Sequence, residues 1–448
     1  MWYPNIVLTR KVRVSIMIFL ISCFFIISPL VILYTAGYRY DKSTHKIKET
    51  GVITIDIAPR DAVVSLNDVV IDQRIPIHLQ NRAPGFYKLH IFREGYLPWS
   101  MPIEVASKQT TYITDSALYK DVLPTFEYTT PENQIETHVS PDAQYVATIV
   151  QDEGAFREIL LYDIEKNTEQ VVWRGTSELP LGLSWSPYAP IFSFFIARQT
   201  GNLVQMIDAR TPADATTYTL TNATSTEIQW SETRRDTMYL LDENQLFAMS
   251  GGSTNLLEQV TSTYHWYIDG AQDIWTLDDT THALYKNSIL VQSFSTMPAT
   301  YSILGITGRY ALIQTDQMDF RMLWLDSGES TTLNATHAFR IKDPAEPAGW
   351  IVWSPWEVFS IDDNGSQTLI TRTNKALFDV TWSSLHKSLL FVFEGGIIVG
   401  FHPQYRTSQE LFHYQHAWVN SISIDDTSSF IIFESSLNDK RGIYKREL

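Results

Sequence analysis

The sequence predicts an all-β chain: one apolar N-terminal helix, then a small β-sandwich, then a β-propeller that fills the rest. Three observations carry this. Residues 14–36 contain no Asp, Glu, Lys or Arg and are mostly Ile, Leu, Val, Phe and Met. Residues 51–120 alternate between apolar and polar side chains in short runs separated by turn residues. From residue 121 onward an apolar-x-Trp-Ser phrase returns at spacings that fit units of about 35–46 residues, typical of propeller repeats.

The apolar stretch comes first. About 20 apolar residues in a helix cross the hydrocarbon core of a bilayer, whereas a secretory signal has a core of roughly 7 to 15 and a small-residue cleavage site. Residues 14–36 exceed that core, and Tyr34-Thr35-Ala36 matches a cleavage site poorly. Tyr34, Tyr38 and Tyr40 suit an interfacial aromatic belt, and Pro29 is tolerated in a membrane helix. The stretch is therefore read as an uncleaved signal anchor. Leu20-Ile21-Ser22-Cys23 resembles a bacterial lipobox, with Arg10, Lys11 and Arg13 as its basic region, but Phe24-Phe25-Ile26-Ile27 continues the apolar run where a lipoprotein turns polar. Cys23 reads instead as a small apolar residue of the helix. Basic residues flank both ends, Arg39, Lys42, Lys46 and Lys48 following the helix, so charge alone barely orients it. A short N-tail before a single helix usually stays inside. The expected layout is a cytoplasmic N-tail at 1–13, the transmembrane helix at 14–36, a polar linker at 37–50, the sandwich at 51–120 and the propeller at 121–448. The body would then lie on the outer side of the cytoplasmic membrane, single-pass and N-in.

Composition narrows the partners. The net charge is −16, and because the first 50 residues are net basic the body is more acidic still. Phosphate contacts need Lys and Arg, so nucleic acid is a poor partner, and anionic lipid would be repelled beyond the anchor. Cys23 is the only cysteine, which removes disulfides and Cys-rich zinc sites from the body.

In the sandwich, Ile53, Ile55 and Ile57 alternate with Val52, Thr54 and Asp56, a period of two. Further strands are expected at 63–66, 75–79, 86–92, 101–105 and 110–118, divided by Pro59, Asn67-Asp68, Pro84-Gly85, Gly95 and Pro98. Pro59-Arg60-Asp61-Ala62, Val64-Ser65-Leu66-Asn67-Asp68, Pro76, Gly85-x-Tyr87 and Arg93-Glu94-Gly95-Tyr96 with Trp99 resemble a PEGA domain. The eponymous turn keeps its Pro and Ala but lacks Glu and Gly. The resemblance implies an extracytoplasmic spacer module of bacteria or archaea, without catalysis.

The repeats open at Leu183-Ser184-Trp185-Ser186-Pro187, Ile228-Gln229-Trp230-Ser231 and Val380-Thr381-Trp382-Ser383, with His138-Val139-Ser140-Pro141-Asp142 as a variant. The gap between Trp230 and Trp382 accommodates weaker units near Trp266, Ile306 and Ile341, and a last one opens near Ile424. Trp353-Ser354-Pro355 is out of phase, and 350–353 reads as the second strand of the unit opened by 339–343. A four-stranded unit cannot bury both faces alone, so neighbours stack and a closed ring leaves none exposed. Eight openings predict eight blades, with seven as the alternative. The last unit has room for three strands only, and a strand near 125–128 would complete it. Each Trp is expected to pack between blades. The phrases resemble the TolB-type repeat, which implies a fold and not an activity.

No catalytic, cofactor-binding or metal-binding residue is assigned. There is no Gly-x-Ser-x-Gly elbow, His-Glu-x-x-His pair or phosphate-binding glycine loop. His413 and His416 read as surface or packing residues. Asp362-Asp363-Asn364-Gly365 resembles a calcium loop without its distal Glu, and Asn-Gly is a strong hairpin signal. Asp278-Asp279, Asp425-Asp426, Asp163, Asp208 and Asp326 read as turn acids. Asn222, Asn334 and Asn364 begin glycosylation triplets. The expected function is a membrane-anchored scaffold, binding a protein or a cell-envelope polysaccharide and using no cofactor. A propeller hydrolase or lyase acting on an envelope polymer is the alternative, with acids drawn from separate blades. A sensory ectodomain would have to signal through a partner.

Overall fold

The computed structural model describes residues 10–35, 37–41, 46–151, 156–176, 179–198, 202–220, 228–251, 253–260, 264–278, 280–295, 301–315, 319–341, 349–414, 418–425, 427, 429–437 and 440–448. The chain divides into two compact units, Met1–Asp121 and Val122–Leu448. Strands dominate both, and Arg10–Thr35 is the one helix among the described residues.

That helix contains Pro29 and buries none of its side chains; Phe19 and Phe25 are 66% and 70% exposed. It is long and apolar enough to cross a membrane, a property that signal sequences share. The polar stretch at 37–50 differs from the linker expected there. Tyr38–Asp41 pairs antiparallel with Lys46–Glu49. Lys108 holds this hairpin, its Nζ bonding Tyr38 Oη at 2.9 Å and Glu49 Oε1 at 3.0 Å. Four-residue strands are too short to show a period, which is why the sequence reads as a linker.

The rest of the first unit is two sheets. In one, Gly51–Ala58 runs between Ile77–Arg82, antiparallel, and Thr110–Ala117, parallel. In the other, the order is Val69–Val70, Val63–Leu66, Gly85–Phe92, Trp99–Val105. Strict alternation buries Ile53, Ile55, Ile77, Val64, Leu89 and Ile91, each 0% exposed. At about 1.5–3 kcal/mol for each fully buried side chain, this core holds the unit without disulfides.

The second unit contains eight four-stranded antiparallel sheets among the described residues. Seven follow chain order and span 134–175, 179–219, 228–259, 264–293, 301–333, 337–372 and 377–412. The eighth combines Val419–Ile424, Phe430–Leu437 and Lys440–Glu447 with Thr125–Tyr128, which pairs with Lys440–Glu447 on the sheet's outer edge. The chain end is thus stitched to the strand that precedes the repeats. Phe126 packs edge-on against Tyr444 at 5.3 Å, and Tyr128 stacks on Tyr162 of the first sheet at 4.2 Å.

Apolar clusters join each sheet to the next. Ala147, Leu161, Phe192 and Ile207 bridge the first and second. Val204, Met206, Met238 and Met249 bridge the second and third. Later clusters continue through the seventh, and Val139, Val146, Ile432 and Ile443 bring the eighth back to the first. Phe412 and Phe433 meet at 5.7 Å between the seventh and eighth. The sheets therefore close on themselves, an arrangement that resembles a β-propeller and leaves no unpaired face at either end of the array.

Candidate functional site

First strands of neighbouring sheets approach each other between the first and second, fourth and fifth, seventh and eighth, and eighth and first sheets, which places the eight first strands toward the middle of the ring. Six of them end in an apolar residue, Val139, Trp185, Trp230, Ile268, Ile306 and Ile424; the equivalent Ile341 follows the strand ending at Arg340, and Trp382 precedes the strand end at Ser383. In the fourth unit Ile268, not Trp266, holds this phase. In seven units the next residue is Ser, Thr or Asp, and its side chain caps the turn. Ser140 Oγ accepts the Tyr145 N–H at 2.9 Å, and Ser231 Oγ that of Arg234 at 3.1 Å. Asp269 Oδ1 accepts from Ala271 and Asp273 at 2.9 and 3.0 Å. Thr307 Oγ1 accepts from Tyr310 at 3.1 Å, and Asp425 Oδ1 from Phe430 at 2.8 Å. Ser186 and Ser383 make longer versions of this contact. The Trp-Ser phrase therefore persists chemically where its letters are lost, because any short oxygen-bearing side chain can satisfy the turn's N–H groups.

The tryptophans of the phrase tie one sheet to another. Trp185 Nε1 donates to His138 O at 3.3 Å, and Trp230 Nε1 donates to Ser184 Oγ at 3.1 Å. Both acceptors sit one residue before the strand-ending position of the preceding sheet.

The acids singled out in sequence are mostly committed to turns. Asp163 Oδ1 accepts the Lys166 N–H, and Asp208 Oδ1 the Arg210 N–H, each at 2.9 Å. Asp362 Oδ1 accepts from Asn364 and Ser366 at 2.9 and 2.8 Å. Asp278 Oδ1 accepts the Thr280 N–H at 2.8 Å. Asp326 is exposed. His413 lies 3.5 Å from Glu410, and Asn334 Nδ2 donates to Glu357 at 3.2 Å. Asp279, His416, Asp426 and Asn222 lie outside the described residues. No group of three or more His, Cys, Asp or Glu that could hold a metal ion occurs among the described residues.

The middle of the ring gathers residues that the sequence did not single out. Glu232, in the turn after the first strand of the third sheet, accepts a short hydrogen bond from Tyr267 Oη of the fourth sheet. It also lies 3.8 Å from Arg340 Nη1 of the sixth sheet, both side chains being 30% exposed. Burial, reinforced by the Glu232 charge, pushes the Tyr267 phenol well above its ordinary range, so it stays protonated as a donor. Burial and then Glu232 push Tyr188 in the same direction. On the first strand of the seventh sheet, burial raises the Asp379 carboxyl to about 6. Hydrogen bonds from the backbone N–H groups of Val380 and Ile422 offset part of that shift, the second reaching across to the eighth sheet. Glu434, fully buried, accepts from Gln134 Nε2 at 2.7 Å and Arg441 Nη2 at 3.2 Å.

Three cavities open on one face of the ring, the face carrying the turns between first and second and between third and fourth strands. One of about 740 Å³ is bounded by Asp269, Lys286, Arg309 and Asp326. One of about 360 Å³ lies between Trp350, Ile361, Trp382, Leu389 and Arg406. One of about 200 Å³ lies among Asp142, Tyr188, Arg210 and Arg235.

No family model matches this sequence, and no curated protein does either. Among solved structures, the chain is similar to the C-terminal WD40 domain of Sif2, at 12% identity over 73% of this chain and 99% of that one, with a TM-score of 0.46. It is similar to the computationally designed Ika8 protein, at 11% identity over 72% and 98%, with a TM-score of 0.45. It is also similar to the dihydro-heme d1 dehydrogenase NirN in complex with DHE, at 13% identity over 63% and 66%, with a TM-score of 0.42.

Proposed function

We propose that this chain is a single-pass scaffold of the cytoplasmic membrane, N-in, whose extracytoplasmic body binds a protein or a cell-envelope polysaccharide. In this reading the helix is the anchor, residues 51–120 form a PEGA-like spacer, and residues 121–448 form an eight-bladed, TolB-type propeller. The observation that carries the binding role is the shared face onto which the three cavities open. Concave apolar clefts with a few polar groups at their rims are where proteins take ligands. The acids of that face are largely spent on their own turns, which makes it a rigid surface that can grip. Crosslinking in intact cells followed by mass spectrometry tests this. A partner or polymer crosslinked through the turn face supports it, and crosslinks confined to lipid contradict it.

A second reading draws on Glu232, Tyr267 and Arg340. Hydrolysis of a glycosidic bond ordinarily needs two carboxyl groups, and this cluster has one. A lyase needs a proton-transfer group beside a cation that neutralises a substrate carboxylate, and Tyr267 with Arg340 fits that pairing better. Incubating the protein with acidic envelope polysaccharides and assaying for unsaturated ends decides between binding and cleavage.

A further inference from the structure

The two short strands that follow the helix form an amphipathic hairpin. Their register pairs Tyr38 with Glu49, Arg39 with Lys48 and Tyr40 with Ile47. Side chains alternate across a strand, so Tyr38, Tyr40, Ile47 and Glu49 share one face while Arg39 and Lys48 share the other. The sandwich covers only part of the first face. Lys108 Nζ reaches Tyr38 Oη and Glu49 Oε1, and Ser107 Oγ donates to Glu49 Oε2. Hydrogen bonds from Ser107, then Lys108 and Tyr38, hold the Glu49 carboxyl down to about 2, so this clasp stays ionised. Beyond the clasp, Tyr40 and Ile47 lie opposite each other and are 60% and 58% exposed.

Arg39 fixes the hairpin at the end of the helix. Its Nη1 donates to Tyr34 O at 2.5 Å, and its guanidinium carbon lies 3.6 Å from the Tyr34 ring centroid. Its Nε donates to Asn81 Oδ1 of the sandwich at 2.7 Å. Gly37, at a φ of 81°, turns the chain out of the helix, and its carbonyl accepts the Thr50 N–H at 2.9 Å. Helix, hairpin and sandwich are thus bonded to one another and not strung on a loose tether. The helix has 26 residues, about 39 Å at 1.5 Å per residue. The hydrocarbon core of a bilayer is about 30 Å thick, and about 40–45 Å with its headgroups. A helix of that length centred in a bilayer ends among the headgroups, and the hairpin begins three residues after that end.

We propose that the hairpin is seated in the membrane surface, with Tyr40 and Ile47 buried in the headgroup layer of the bilayer that the helix crosses, so that the sandwich stands at a fixed height above it. Tyrosine suits that layer because its ring is apolar and its hydroxyl is polar, and amphipathic elements bind an interface by burying their apolar face about 5–10 Å into it. Charge agrees. The body is acidic, but residues 37–50 carry four basic against two acidic side chains, the sign that lipid phosphates attract. The exposed apolar surface of the helix therefore continues past Thr35 through Tyr40 and Ile47. The inference rests on the helix being a retained anchor, and not on what the ring binds.

The test puts one spin label at a time on the full chain, in a Cys23→Ser background, in nanodiscs of phosphatidylcholine and phosphatidylglycerol. Power saturation then compares access by oxygen, which concentrates in lipid, with access by a neutral nickel chelate, which stays in water. The labelled variants are Phe25→Cys in the helix, Ile47→Cys in the hairpin and Val69→Cys on the sandwich edge, where Val69 is 65% exposed. The oxygen-to-nickel ratio at Ile47→Cys should be several-fold higher than at Val69→Cys and lower than at Phe25→Cys. Adding Arg39→Gln should move the Ile47→Cys ratio toward the Val69→Cys value, with an unchanged melting temperature showing that the sandwich stays folded. Equal ratios at Ile47→Cys and Val69→Cys would overturn the seat. So would exclusion of both reagents from Ile47→Cys, which would mean that protein covers it. In either case a lipid-like Phe25→Cys leaves the anchor standing, whereas a water-like Phe25→Cys rejects anchor and seat together.

Discussion

Arg340 and Glu232 face each other at 3.8 Å although they belong to the sixth and third sheets of the ring. The contact can exist only if the array closes, because it spans the middle rather than a junction between neighbours. Both side chains are partly solvated, so the pair itself is worth little, about 1 kcal/mol or less. A double-mutant cycle of Glu232→Gln and Arg340→Gln should give a coupling energy of that size, falling as salt is raised. Zero coupling at low salt would mean that the two side chains do not meet.

The indole hydrogen bonds give a contrast within one repeat. Trp230→Phe removes the bond to Ser184 Oγ and strands that hydroxyl, and it should cost about 1 kcal/mol more than Trp382→Phe, which removes a donor that has no acceptor. Chemical denaturation of the two variants checks this. Equal losses would mean that the indole ring, and not its N–H, does all the stapling.

Asp379 should make stability depend on pH with an unusual sign. Its folded pKa of about 6 lies above the ordinary carboxyl value, because burial disfavours the charge. The folded state therefore binds more protons than the unfolded state between roughly pH 4 and 6, and this residue's contribution falls as pH rises through that window. Asp379→Asn keeps an acceptor for the Val380 and Ile422 N–H groups without the charge. The variant should melt higher than the parent at pH 8 and close to it at pH 4.5. A variant less stable at pH 8 would show that the carboxylate is favoured where it lies.

The strand Thr125–Tyr128 should act as a latch. Phe126→Pro removes an N–H from the pairing with Lys440–Glu447 and should destabilise the second unit by about 3 kcal/mol. Protease cleavage near Lys440 should rise in step. A variant with parental stability would mean that the eighth sheet holds with three strands.

Much of this architecture could be read from the sequence because it rests on local signals. The alternation at Ile53, Ile55 and Ile57 gave the buried face of a strand, and Trp185, Trp230 and Trp382 marked repeat openings that do pack between sheets. Trp350 and Trp353 lie in the second strand of their sheet, so the out-of-phase Trp-Ser-Pro is a turn between second and third strands. There Ser354 Oγ accepts the Glu357 N–H, the same capping chemistry at a different turn. What sequence could not show depends on ring closure. Glu232, Tyr267 and Arg340 are far apart in the chain, and no spacing rule joins them. Asp269, Thr307 and Asp425 replace the phrase's Ser by function and not by letter.

The claim on which the functional reading depends is that the body lies outside the cell. Cys23 is the only native cysteine, so Asp214→Cys in a Cys23→Ser background places one thiol on an exposed turn of the ring. A membrane-impermeant maleimide should label that thiol in intact cells as fully as in lysed ones. Labelling that appears only after lysis would put the body inside and contradict the account.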